Sequence, residues 1–270
     1  MAKIKKTLTS LGIWLAVQIL VTLIFMIVAA VQGKDYTSVL APSLLVSDFL
    51  VIVLLLAIKY CGINELFKTV PGNAFLISIL FGICATFAVD LISSSYDIPN
   101  ALEEQFKVMS KTLSGFLAIC IVGPIMEEIM MRRIILKEIE KATKSMWWGI
   151  IISSALFAIM HVNPIQVVFA MPAGIILGWL YCKTGSLLVP ICIHILNNTA
   201  AFITMRMDSD SNFTIRSPFG VMFTLILIFI SAATCIWIVR HYNKLKKEQE
   251  LQEAAQVESQ SDSSAGELVE

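Results

Sequence analysis

Apolar residues fall along this chain in long runs broken by short polar stretches, at about 8–32, 38–58, 73–95, 113–136, 146–161, 165–182, 186–205 and 218–240. Several of these runs reach the roughly 20 residues that cross a bilayer as a helix. A backbone in lipid must satisfy its own hydrogen bonds, so the runs are helices. The expectation is an all-α fold, a polytopic transmembrane helical bundle of about eight spans occupying residues 1–245 as one domain. The first run follows Lys3, Lys5 and Lys6 as a signal peptide would. Its apolar stretch is too long for one and no small-residue cleavage site follows, so it reads as an uncleaved span.

Composition agrees. Hydrophobic residues make up 57% of the chain and charged residues 15%, against about 25% charged in a soluble domain, and the mean hydropathy is +0.80. The net charge of zero hides a strong asymmetry. With the N-terminus inside, 15 Lys and Arg fall on the inner side and 5 on the outer, as the positive-inside rule requires. The expectation is an integral protein of a bacterial plasma membrane with both termini cytoplasmic. Residues 246–270, and above all the stretch from Leu251, are rich in Glu, Gln and Ser without aromatics, a composition that predicts a disordered acidic and polar tail.

The stretch from Asp97 to Thr112 mixes Glu103, Glu104, Lys107 and Lys111 with Leu102, Phe106, Val108 and Met109, which suits an interfacial amphipathic helix or a plain solvated connection. The six cysteines lack metal-type spacing and lie in or beside the spans, so they read as free buried thiols. Gly174 and Gly178 predict a close helix seam, and Trp147 with Trp148 an interfacial anchor. No internal repeat, phosphate-binding loop or basic-aromatic array is present, which removes support for nucleotide or nucleic-acid partners.

Polar residues inside the spans carry the chemistry, because ionisable groups at membrane depth are costly. Glu127 and Glu128 sit mid-run after Gly123-Pro124, and Arg132 is spaced to pair with Glu128 at i, i+4. Charges snorkelling at the rim of the span are the plainer reading of these three. A helical hairpin turning near Lys144 sets Glu127 level with His161 on the neighbouring helix, each about 16 residues or roughly 24 Å from the turn. His194 and Asn198 share one helical face in the seventh run; interhelical hydrogen bonding alone would also explain them. Pro190, one turn earlier, can loosen that helix. Asp48 and Asp90 also fall in spans, with no partner evident along the chain.

A carboxylate, two imidazoles and a carboxamide suit amide hydrolysis. The carboxylate can take a proton from water, and an imidazole with an amide N–H can stabilise the oxyanion. Glu127, His161 and His194 are also a ligand set that a catalytic zinc ion accepts, although Asn198 then has no clear task. The HExxH, Gly-x-Gly-Asp and Gly-x-Ser-Gly signatures of other intramembrane proteases are missing.

Glu127-Glu128-x-x-x-Arg132, Phe157-x-x-x-His161 and His194-x-x-x-Asn198, in that order on successive apolar helices, resemble the three motifs of the CPBP (CAAX protease and bacteriocin-processing) family. The segment Gly178-Trp179-Leu180-Tyr181 through Thr184-Gly185-Ser186-Leu187 to His194 is similar to it as well. The resemblance spans about Leu113 to Ala201, a protease core of about 113–201. It implies an intramembrane endopeptidase of about eight helices, related to the type II CAAX prenyl endopeptidase and acting on a membrane-associated or lipidated protein or peptide. It further implies Glu127 as the base that activates water with His161, His194 and Asn198 as the oxyanion hole, and Glu128 with Arg132 as a supporting ion pair. Members of the family are described both as metalloproteases and as glutamate-type hydrolases. The second needs no cofactor and gives Asn198 a task, while zinc remains the alternative. A membrane scaffold or proton-coupled transporter could use the same Glu, His and Asn cluster, and stands as the rival expectation.

Overall fold

The computed structural model of the protein describes residues 4–93, 95–206 and 217–266. Ten helices succeed one another along the described residues: α1 (Lys5–Val31), α2 (Thr37–Ala57), α3 (Ile63–Leu66), α4 (Gly72–Ser93), α5 (Glu103–Ser110), α6 (Leu113–Thr143), α7 (Met146–Met160), α8 (Pro164–Thr184), α9 (Leu188–Arg206) and α10 (Pro218–Gly266). No strand occurs among the described residues. The fold is the expected all-α polytopic bundle.

Seven of these helices are long and apolar enough to cross a membrane. The expected span at 146–161 is the exception: α7 has 15 residues and rises about 22 Å, short of a hydrocarbon core of about 30 Å. Both of its ends are written locally. Ser145 caps the start, its side chain accepting from the Trp148 N–H. At the other end Pro164 holds Asn163 in an extended conformation, because the proline ring excludes the helical region for the residue before it.

α6 is the axis of the bundle. Half of its most apolar window is buried, against 11% for α1, and Ile129, Met130, Met131, Ile135 and Leu136 are wholly inaccessible. Around it α1 packs on α2, α7 on α8, and α10 on α4. Since lipid is as apolar as leucine, close fit rather than water exclusion holds such helices together. The glycine seam illustrates this: a Cβ on Gly174 would lie 2.9 Å from the Ser154 Cβ, and one on Gly178 would lie 3.3 Å from Leu136 Cδ1. All six cysteines are free, three buried and three half-buried.

The segment expected to be interfacial or solvated forms α5, which packs against α2, α6 and α9 with Met109 and Ser110 buried. Past the last span the backbone of α10 continues helical to Gly266; the Glu, Gln, Ala, Leu and Lys there are good helix formers, and Lys244–Glu248 and Lys246–Glu250 pair one turn apart. Residues 267–270 lie outside the described residues. Pro190 is a further correction: it falls in the first turn of α9, where a missing N–H costs nothing, so it does not loosen the helix.

Outside the spans, Glu65 receives a hydrogen bond from Arg133 and accepts from the Gly62 N–H at 2.8 Å. These donors, the Arg133 bond foremost, hold its carboxyl below the ordinary glutamate value of 4.5. The stabilisation is therefore present above that value and lost as pH falls through the lower, folded-state one. It is small, as the pair is partly exposed. Wild-type protein should lose more of its thermal midpoint on acidification below pH 4.5 than Glu65→Gln, measured in one detergent. A packing prediction comes from Gly115, where a Cβ would lie 1.9 Å from the Met109 carbonyl oxygen. Gly115→Ala should cost about 1–3 kcal/mol in thermal unfolding, whereas Gly72→Ala, at a site with open space, should cost nothing measurable.

Candidate active site

The middle of α6 is not a regular α-helix. Leu117–Val122 winds as a π-helix, and the Gly123 N–H bonds to the Ala118 carbonyl five residues back. Continuing that register would take the Ile119 carbonyl to residue 124, which is proline and has no N–H. The orphaned Ile119 carbonyl instead accepts from Asn198 Nδ2 of α9 at 2.9 Å. Glycine at 123 permits this close approach of the Ala118 carbonyl, since a Cβ there would lie 2.6 Å from its oxygen. A second π segment, Ile129–Leu136, carries Arg132. Such bulges concentrate at functional sites because they expose backbone groups and re-aim side chains.

Four charged or ionisable side chains then form a chain across α6 and α9. Arg132 Nε lies 3.1 Å from Glu128 Oε2, and both side chains are buried, at 1% and 0% exposure. Glu128 Oε1 lies 2.8 Å from His194 Nδ1. A carboxylate can only accept, so Nδ1 carries the proton and Nε2 is turned to Glu127, whose Oε2 is 3.5 Å away. Arg132 also donates through Nη2 to the Gly174 carbonyl at 3.5 Å.

Phe157 is the hub between the motifs. The Arg132 guanidinium lies over its ring, 4.7 Å from the centroid, and the His161 and His194 rings meet it edge-on at 4.8 and 5.7 Å. A guanidinium on an aromatic face is favoured when desolvated. His161 Nδ1 lies 2.8 Å from the Phe157 carbonyl; a carbonyl only accepts, which again fixes the proton on Nδ1 and leaves Nε2 as an acceptor in the neutral ring.

Glu127, His161 and Asn198 line one cavity of about 210 Å³, together with Asp48, Gln18 and Gln166. The hairpin register expected from sequence is thus met: the turn falls at Lys144, in a left-handed conformation with φ 57°, and the two residues share a chamber. The nearest histidine to Glu127 is nevertheless His194 rather than His161, because α9 crosses α6 at that level. Asn198, expected to serve an oxyanion, spends one N–H on Ile119 and keeps the second of its two donors. Arg132 is not a rim charge but a buried one, which removes it from the basic inner-loop count; the split among the rest is still 14 to 5.

Asp48 and Gln18 were not legible as site residues. Asp48 Oδ1 accepts from Gln18 Nε2 at 2.9 Å, and Gln18 Oε1 accepts from Ser47 Oγ at 2.7 Å, which fastens α1 to α2 beside the chamber. A polar pair in two otherwise apolar runs was the available signal. Gln166, two residues past the Asn163-Pro164 turn, carried none. A zinc ion would need Glu127, His161 and His194 to converge. Among the described residues no group of three His, Cys, Asp or Glu side chains is placed to hold a metal ion.

Fold and site define a polytopic membrane bundle with a sheltered Glu, His and Asn chamber. Residues 109–200 match the family described as Type II CAAX prenyl endopeptidase Rce1-like. Over 93 residues the chain is 34% identical to a Bacillus subtilis (strain 168) protein named "Putative membrane peptidase YdiL", a match covering 34% of this chain and 37% of that protein. The chain thus spans little more than a third of that relative's length in the match. No solved structure matches. The matched residues 109–200 contain all three motifs, and over them the chain is similar to the CAAX protease family.

The buried ion pair yields a stability prediction. Arg132→Met strips Glu128 of its counter-charge, a change that costs about 3–5 kcal/mol in a buried pair. It should lower the thermal midpoint of detergent-purified protein sharply, and adding Glu128→Gln to the same chain should recover much of the loss.

Proposed function

We propose that the protein is an intramembrane endopeptidase that hydrolyses a peptide bond of a membrane-associated or lipidated protein or peptide with a water activated by Glu127. The observation that carries this reading is the common chamber of Glu127, His161 and Asn198, walled by apolar helices and braced by the Glu128–Arg132 pair. Glu127 and the Nε2 of His161 hold a water between them and Glu127 takes its proton. The hydroxide adds to the scissile carbonyl carbon. The oxyanion so formed accepts from the free N–H of Asn198 and, when His194 carries both protons, from its Nε2–H. Glu127 then returns the proton to the leaving amine as the C–N bond breaks.

Every proton in this cycle is handled by the chain's own residues, and the proposed cycle calls for no resident metal. Glu128 and Arg132 act through His194: the carboxylate orients the imidazole and the guanidinium neutralises the carboxylate.

Glu127→Ala and His161→Ala should each abolish cleavage, an effect of at least two to four orders of magnitude for loss of a general base, while thermal unfolding of the purified variants stays close to wild type. The measurement is a comparison of membrane peptides in cells carrying wild-type or variant protein, with elemental analysis of the purified protein alongside. Full biological function in both variants would favour the transporter or scaffold reading, and stoichiometric zinc would replace the metal-free mechanism.

A further inference from the structure

We infer that the chamber is loaded from the face of the bundle opposite its basic ends, the extracytoplasmic face, and that its substrate presents an uncharged or cationic peptide segment from that side. The inference rests on the peptidase reading for what enters the chamber, but not for which way the chamber opens.

The catalytic cavity does not end at His161. A second space of about 220 Å³ adjoins it and shares Phe106, Ile119, Gln166 and Asn198 with its lining. This vestibule is walled by the C-terminal end of α4, by α5, by the start of α8 and by the C-terminal half of α9. All four lie at the end of the bundle away from Lys59, Lys68, Lys144, Lys183 and Arg240. In the other direction α6 is packed: Met130, Ile135 and Leu136 are wholly buried between the chamber and the basic end. The cavity that does exist at the basic end, between Lys6, Arg133 and Lys141, shares no lining residue with the chamber.

The short α7 is what admits water and peptide from one side. Its first turn carries Trp147 and Trp148, 52% and 56% exposed, at the basic interface where such rings anchor. A rise of about 22 Å from that anchor leaves His161 roughly 8 Å below the opposite surface of a 30 Å hydrocarbon core. The turn that follows is held down there: Asn163, 1% exposed, donates to the Asn100 side chain at 2.8 Å and accepts from the Ala101 N–H at 3.0 Å. The recess between turn and surface is the vestibule.

Its chemistry indicates what it accepts. Asn100, Gln166, Asn197 and Asn198 contribute carboxamides to its wall, and among the described residues Asp90 is the sole charged side chain in the lining. Carboxamides donate to and accept from a peptide backbone, and none of the described lining residues would compensate an acidic side chain. The positive-inside rule assigns the basic end to the cytoplasm, so this opening faces outward.

The test uses the full chain in intact cells with a membrane-impermeant sulfonated methanethiosulfonate, read as a mass shift on purified protein, with wild-type protein reporting the background from the native cysteines. Gln166→Cys in the vestibule should be labelled in intact cells, and Lys141→Cys at the basic end only after permeabilisation; Asn197→Cys repeats the measurement should Gln166→Cys not fold. The reverse pattern, or vestibule cysteines that resist the reagent even after permeabilisation, would overturn the inference. Outside labelling combined with unchanged membrane peptides in Glu127→Ala cells would leave the inference standing and remove the peptidase reading instead.

Discussion

A guanidinium sealed inside an apolar bundle is the constraint around which the rest of this protein is arranged. Removing an ion from water costs several kcal/mol even after relaxation, and Arg132 is 1% exposed. It is answered by the Glu128 carboxylate on its own helix, by the Phe157 ring from α7 and by the Gly174 carbonyl from α8. Three helices are thereby brought to one point. The carboxylate reaches a fourth, because its other oxygen meets His194 of α9. Charge neutralisation, orientation of the imidazole and assembly of the chamber are one event.

The same economy governs the backbone. Pro124 cannot donate, and α6 winds wide just before it; the carbonyl left over is the one that fixes Asn198. Proline in a membrane helix is tolerated when a neighbouring side chain re-satisfies the freed group. Here that repair also sets where a carboxamide stands relative to Glu127. A defect in one helix and a polar side chain on another define each other's position, so neither can be understood alone.

The short α7 joins the two arguments. A helix continued past His161 to full length would fill the space where the vestibule lies. Stopping at His161, with Val162 forced to a φ of 59° and Asn163 bonded downward, keeps the imidazole recessed. A β-branched residue in the left-handed region carries a steric cost of roughly 1–3 kcal/mol, and it sits beside the residue whose placement matters most.

Hydrophobic runs of about 20 residues, three polar motifs at helical spacing and a lopsided distribution of Lys and Arg were enough to determine the all-α membrane bundle, the Glu128–Arg132 pair and the shared level of Glu127 and His161. Those are properties of single helices or of one hairpin, and the 3.6-residue repeat makes them readable along the chain. The contact of His194 with both glutamates, the Asn198–Ile119 bond, the Gln18–Asp48 clasp and the one-sided vestibule were decided only by the tertiary structure. Each depends on how far one helix is shifted and rotated against another, and side-chain fit between helices distant in sequence sets that. Glu, Gln, Lys and Ala are as suited to a solvated helix as to a disordered tail, so composition does not separate the two over the residues that follow the last span.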